Sequence, residues 1–247
     1  MIRGVVFDLD GTLLDTEKLY RRFWVEAARQ LGYPMEDRHA LMIRSMAADR
    51  AEPLLKREVC PDFDYHAVRA LRRQIMEDYI DKNGVEPKPG LLPMMRNLRR
   101  MHMRIALATA TPEVRARKYL RMVGVEEMFD AVACAEMVAH GKPAPDVYLL
   151  AAQKLNLPPE ELLGVEDSPS GVQSAHAAGM TVAMVPDQDE PTEEIAALCA
   201  LVAPTLEEIA LFVDAFSHAY GVPDLRRSAC LPPALRAASS TLSKREP

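Results

Sequence analysis

Two carboxylates stand two residues apart in Asp8-Leu9-Asp10-Gly11-Thr12. If an extended strand continues through them, alternation points both to one side. Carboxylates that close repel each other, so one is neutralised or both meet a cation. Magnesium prefers a few carboxylates together with water and phosphate oxygens. The plainer alternative is a strand-to-helix turn, since Asp-Gly is common in turns. A second acidic pair, Glu166-Asp167, precedes Ser168-Pro169. Its plainer alternative is an acidic helix start, favoured by the helix macrodipole. Thr109 closes an apolar run, and Thr111-Pro112 is placed to cap and open a helix. N–H groups at a helix start, with a hydroxyl, make an anion site; simple capping would leave the same trace. Lys142 lies among prolines in Gly141-Lys142-Pro143-Ala144-Pro145-Asp146. A rigidly held ammonium suits a phosphate, although an exposed lysine before a helix would look alike. Each element alone is ambiguous. Together they supply a nucleophile, an acid/base, a phosphate cradle and cation ligands, which is the inventory of metal-assisted phosphoryl transfer.

The surrounding pattern says what must position these groups. Residues 3–8 are a β-branched and aromatic run of strand length. A helical pattern then starts near Asp15 or Thr16, either of which can cap it. Its apolar residues Leu19, Phe23, Ala27, Ala28 and Leu31 recur at three to four residues, and Gly32 is placed to end it. Residues 16–85 are helical in pattern and show no convincing strand. The prolines and glycine of Glu86-Pro87-Lys88-Pro89-Gly90 mark a connection. Beyond it, apolar runs at 105–109, 131–134, 162–166 and 181–185 alternate with helical patterns at 112–122, 145–155 and 169–178. Alternation of this kind predicts an α/β fold: a Rossmann-like parallel sheet with crossover helices. The first strand precedes the helical block and its partners follow it. The block at 16–86 therefore reads as an inserted α-helical domain, with 1–15 and 87–222 as the core.

Composition narrows the class. Basic residues number 30 against 36 acidic, a net charge of −6, so the basic footprint of a nucleic-acid binder is missing. No apolar run approaches the ~18 residues of a membrane span. Cys60, Cys134, Cys199 and Cys230 form no CxxC pair, so neither a disulfide framework nor a zinc knuckle is indicated. These features lead to the expectation of a soluble cytoplasmic protein with reduced thiols, binding neither nucleic acid nor membrane. Residues 223–247 carry Pro232-Pro233 and little periodicity, and read as a mobile tail.

The set Asp8-x-Asp10-Gly11-Thr12, Thr109, Lys142 and Glu166-Asp167 resembles the four motifs of the haloacid dehalogenase-like hydrolase superfamily. The stretches Lys142-Pro143-Ala144-Pro145-Asp146, Glu166-Asp167-Ser168-Pro169-Ser170-Gly171 and Ala177-Ala178-Gly179-Met180 are similar to its β-phosphoglucomutase and phosphoglycolate-phosphatase branch. The resemblance covers residues 1 to about 215 and implies a helical cap at the insertion. It implies that Asp8 attacks phosphorus to form an aspartyl-phosphate and that Asp10 is the acid/base. It also implies that Asp8, the Asp10 carbonyl and Asp167 hold Mg²⁺ with Glu166 close by. Thr109, Ala110 and Lys142 would bind the phosphoryl oxygens.

The expected activity is a Mg²⁺-dependent phosphatase acting on a small phosphate monoester: a sugar phosphate, phosphoglycolate or a nucleotide monophosphate. A sugar-phosphate mutase is the main rival. Known β-phosphoglucomutases carry a histidine where this chain has Tyr20, and often Val where it has Thr12, which leans toward a phosphatase. A non-catalytic binding protein would be expected to have lost Asp8 or Asp10, and both are present. Substrate choice is expected in the cap, with Tyr20, Arg44 and Ser45 as candidates beside Arg21, Trp24 and Met46. Core packing is the plainer role for Trp24, and a loop position the plainer reading of His140. A monomer is the default expectation.

Overall fold

The computed structural model describes residues 1–44, 46, 48–187 and 190–219. The expectations for Ser45 and for the tail at 223–247 lie outside the described residues. In chain order the elements are β1 (Gly4–Phe7), α1 (Glu17–Gln30), α2 (Asp37–Met42), α3 (Ala48–Glu58), α4 (Tyr65–Asn83), α5 (Leu91–Arg100) and β2 (Arg104–Thr109). There follow α6 (Glu113–Met122), β3 (Ala131–Cys134), α7 (Asp146–Leu155), β4 (Leu162–Glu166), α8 (Pro169–Ala177), β5 (Thr181–Met184), α9 (Glu193–Ala196), β6 (Leu201–Val202) and α10 (Glu207–Ala219). The chain divides into two compact units, one of 1–14 with Pro87 onward and one of 15–86.

The first unit is built on a parallel sheet of order β3-β2-β1-β4-β5-β6. β1 lies inside it, paired with β2 and β4, and all four of its residues are buried. Both faces of such a strand are covered, which is why Val5, Val6 and Phe7 form an unbroken apolar run rather than an alternating one. Chain order reverses between β1 and β4, and open α/β sheets form their ligand crevice at the carboxyl ends of strands at that switch point. Register fixes the neighbours there. Phe7 pairs with Leu107 on one side and Val165 on the other. The next residue along each strand brings Asp8 level with Ala108 and Glu166.

One face of the sheet is covered by α7 and α8. Tyr148, Ala151 and Leu155 of α7 and Val172 and Ala175 of α8 form one buried cluster with Val6, Ala106 and Ala108. Ser168 caps α8 by accepting from the Gly171 N–H at 3.1 Å, with Pro169 opening the helix. The Thr111-Pro112 expectation differs. Pro112 itself takes the N-cap place of α6, and the first helical N–H, of Glu113, donates to Glu136 Oε1 at 3.0 Å instead. The Thr111 hydroxyl is used elsewhere. The chain re-enters this unit beside its point of exit: Leu14 bridges Pro87 antiparallel, and the Lys88 N–H donates to the Leu13 carbonyl at 2.9 Å. β6 was not anticipated; it is two residues long at the sheet edge.

The second unit holds α1 to α4, with no strand among its described residues. Its core gathers Trp24, Ala27 and Ala28 of α1 with Leu55, Phe63, Tyr65 and Val68. Trp24 is a packing residue, its ring 5.5 Å from that of Tyr65. Thr16 stands at the N-cap of α1 without a side-chain cap bond. Leu55 is fully buried in this core. Leu55→Ala should therefore cost about 2–5 kcal/mol, read as a lowered urea midpoint; a change below about 0.5 kcal/mol would show that the site collapses freely.

Candidate active site

Asp8 follows β1 and is 6% exposed. Its N–H donates to the Val165 carbonyl at 3.0 Å, which continues the β1–β4 pairing through it. Glu166 ends β4 and is fully buried. Between them lies the Lys142 ammonium, 2.6 Å from Asp8 Oδ1 and 2.5 Å from Glu166 Oε1. Its third contact is the Ala108 carbonyl at 3.0 Å. An ammonium has three donors, and all three are used. Lys142 comes from the proline-bearing loop ahead of α7, not from a strand end.

Glu166 is held on both oxygens. Oε1 also accepts from the Tyr148 hydroxyl at 2.7 Å, while Oε2 accepts from Ser168 Oγ at 3.2 Å and the Asp167 N–H at 3.3 Å. Asp167 Oδ1 accepts from Thr12 Oγ1 at 2.8 Å. Asp10 Oδ2 accepts from Thr111 Oγ1 at 2.6 Å, and Thr109 Oγ1 accepts from the Thr111 N–H at 3.0 Å. The loops after β1, β2 and β4 are thus tied by side-chain bonds between Asp8–Thr12, Thr109–Thr111 and Glu166–Asp167. Two glycines make the packing possible. A Cβ on Gly11 would stand 2.3 Å from Asp167 Oδ2, and Gly11 has φ +85°, a conformation side chains disfavour. A Cβ on Gly171 would stand 1.9 Å from the Glu166 carboxyl carbon.

Burial governs the titration of the group. Desolvation, with Glu166 and Asp10 adding to it, raises the Asp8 carboxyl to about 8, although Lys142 pulls it down. Burial alone would lower the Lys142 pKa, but Asp8 and Glu166 outweigh it and hold the ammonium above its ordinary value. Burial and then Glu166 raise the Tyr148 phenol, so it remains a donor at neutral pH. These are properties of the protein groups alone. Carboxylate oxygens of Asp8, Glu166 and Asp167 lie within 4.8 Å of one another. Hard oxygen donors in excess over a single ammonium fit a divalent cation such as Mg²⁺, and a cation there would reverse the rise at Asp8.

The residues selected from sequence divide by unit. Asp8, Lys142, Glu166 and Asp167 are joined in one hydrogen-bonded group, and Asp10 and Thr109 in a second through Thr111. Ala110 follows Thr109 at the same sheet edge. In the helical unit, the Arg72 guanidinium stacks over Tyr20 at 4.8 Å, and Arg44 is half-buried beyond α2. His140 is exposed and 3.2 Å from Asp146. Thr111, Thr12 and Tyr148 were not singled out as site residues. A threonine hydroxyl within a strand-end loop already carrying a site residue was the available signal for the first two.

The sequence profile of haloacid dehalogenase-like hydrolases matches residues 2–179. The chain belongs to that family. It is 32% identical to the phosphorylated carbohydrates phosphatase of Thermotoga maritima over 184 residues, which is 72% of this chain and 82% of that one. It is also 32% identical to fructose-1-phosphate phosphatase YqaB of Escherichia coli, over 72% of this chain and 93% of that one. Among solved structures, CbbY from Rhodobacter sphaeroides, a variant in complex with xylulose-(1,5)-bisphosphate, superposes with a TM-score of 0.70. That pair is 27% identical and covers 84% of this chain and 96% of the other. No described helix is long and apolar enough to cross a membrane.

Two outcomes follow from the geometry. Ala is the better helix former by about 1 kcal/mol, yet Gly171→Ala should lower turnover about tenfold or more, because the new methyl displaces Glu166 and a shift near 1 Å costs on the order of 10²-fold. Steady-state kinetics of that variant checks it. The second concerns protein stripped of divalent ions. A carboxyl raised from 3.8 to about 8 holds its proton in the folded state after the unfolded chain has released it. Asp8 therefore contributes stability below pH about 4 that is lost as pH rises through about 8. Urea unfolding with chelator should show a falling contribution across that window, and Asp8→Asn should remove it.

Proposed function

We propose that the protein is a Mg²⁺-dependent phosphatase of small phosphate monoesters, sugar phosphates foremost, acting through an aspartyl-phosphate on Asp8. The observation that carries this reading is the buried Lys142 ammonium shared by Asp8 and Glu166 at the carboxyl edge of the sheet. A carboxylate nucleophile must approach a phosphate dianion, and only fixed positive charge makes that approach feasible. Family membership and the named phosphatases among the relatives support the same enzyme class, a phosphoric monoester hydrolase.

In the proposed reaction Asp8 attacks phosphorus and the bond to the leaving oxygen breaks. Asp10, oriented by Thr111, gives that oxygen its proton. Asp10 then takes a proton from water as the water attacks the aspartyl-phosphate, releasing phosphate and restoring Asp8. Lys142, exchanging one of its three bonds, and Thr109 would hold the phosphoryl oxygens. Asp8, the Asp10 carbonyl and Asp167 would hold Mg²⁺, with Glu166 beside them. When bound, the ion would supply charge neutralisation for nucleophile and phosphoryl group.

The helical unit, read as a cap over 16–86 on a core of 1–15 and 87–222, is proposed to select the substrate, with Tyr20, Arg44 and Ser45 as contacts. Tyr20 in place of the histidine of known mutases favours release of phosphate to water over its return to a sugar.

The test is phosphate release from a panel of sugar phosphates, phosphoglycolate and nucleotide monophosphates, alongside assays for isomerised sugar phosphate. Turnover should require Mg²⁺, and Asp8→Asn should abolish it while circular dichroism stays native. Activity that persists in Asp8→Asn, or after exhaustive chelation, would overturn the assignment.

A further inference from the structure

The geometry points to Tyr148 as a positioning residue that fixes where the Lys142 ammonium stands, through its hydroxyl on Glu166 and its ring beside the charge. This rests on the phosphatase reading for its kinetic consequence.

Tyr148 is the third residue of α7 and is fully buried. Its hydroxyl donates to Glu166 Oε1 at 2.7 Å, the oxygen that Lys142 also contacts. The Lys142 nitrogen lies 5.1 Å from the Tyr148 ring centroid, within cation–π range. Lys142 has spent its three donors on Asp8, Ala108 and Glu166. Of those acceptors, the Ala108 carbonyl is fixed by strand β2. Glu166 is a side chain, and its Oε1 has two donors. Removing the phenol leaves Oε1 to Lys142 alone while Ser168 Oγ and the Asp167 N–H still hold Oε2, so the carboxylate turns about its Oε2 side and the ammonium follows Oε1.

Tyr148 is itself well anchored. α7 is packed into the sheet by Ala151, Ala152 and Leu155, in the same cluster as Tyr148. A tyrosine so deep needs a partner for its hydroxyl, and here that partner is a carboxylate of the site. Packing alone would be served by phenylalanine. The hydroxyl is therefore explained by what it orients.

The experiment compares Tyr148→Phe, Tyr148→Leu and the α7 packing variant Leu155→Ala in Mg²⁺ buffer. Tyr148→Phe should lower kcat about tenfold with KM changed less than threefold, since misplacing a charge that matches the transition state acts on the chemical step. Tyr148→Leu, which also removes the ring, should lower kcat about a hundredfold. Calorimetric titration reads the same effect without turnover. Orthovanadate, a transition-state mimic, should bind Tyr148→Phe about tenfold more weakly, with inorganic phosphate shifted less than threefold. Leu155→Ala should lose thermal stability and keep the parental kcat and vanadate affinity.

Parental vanadate affinity in Tyr148→Phe would overturn the inference. So would a loss in Leu155→Ala equal to that in Tyr148→Phe, which would make the effect one of packing. If the unaltered protein turns over nothing in the panel, the phosphatase reading fails, and the vanadate-to-phosphate comparison still judges Tyr148.

Discussion

The site depends on one cation in a nest of anions. Asp8, Asp10, Glu166 and Asp167 meet at a sheet edge where Asp8 and Glu166 are buried, and Lys142 is the ammonium shared by those two. Stripping a carboxylate of water costs several kcal/mol even after relaxation. Breaking such a buried pair by removing one partner typically costs about 3–5 kcal/mol, because the other charge stays buried and alone. A chain selected only for stability would fill this position with apolar side chains. The proposed reaction gives that buried pair a use, since an attacking carboxylate there would stand beside positive charge.

That requirement is met by sheet order. Only in a parallel sheet do the carboxyl ends of neighbouring strands share an edge. β1 sits between β2 and β4, so Asp8 has a strand-end neighbour on each side within one pairing step. The Ala108 carbonyl supplies one acceptor for Lys142 and Glu166 another. Neither neighbour is adjacent to Asp8 in sequence: Ala108 is 100 residues away and Glu166 is 158. The insertion of 72 residues at 15–86 leaves this arrangement possible because the chain leaves at Leu14 and returns at Pro87, two residues paired in an antiparallel bridge.

The strand-and-helix alternation of the core was legible because period and length are local properties. Asp8, Glu166 and Asp167 were legible because strand ends in such folds face one edge. Thr111 reads as a cap from sequence, since a hydroxyl before Pro112 satisfies every local rule for one. Its actual partner, Asp10, is 101 residues away, and no local pattern carries that pairing. Tyr148 was hidden for the same reason. In a helix of Val, Leu and Ala it reads as core, and only the register of α7 against β4 reveals a carboxylate at its hydroxyl. β6 was missed because two residues carry no period. Resemblance added the roles of the carboxylates, which spacing alone left open.

The same network says where specificity must come from. Around Asp8, hydrogen-bonding capacity is already committed: Lys142 to three acceptors, Glu166 to four donors, Thr111 to Asp10 and Thr12 to Asp167. In the proposed reaction these groups would exchange some of those bonds for a phosphoryl group and a metal ion, which are common to every phosphate ester. They leave nothing over to distinguish one alcohol from another. Discrimination needs polar groups built for the rest of the substrate, because a site that hydrogen-bonds a hydroxyl rejects analogues that lack it. Residues outside this network must supply those groups, so the chemistry can stay fixed while the choice of ester changes.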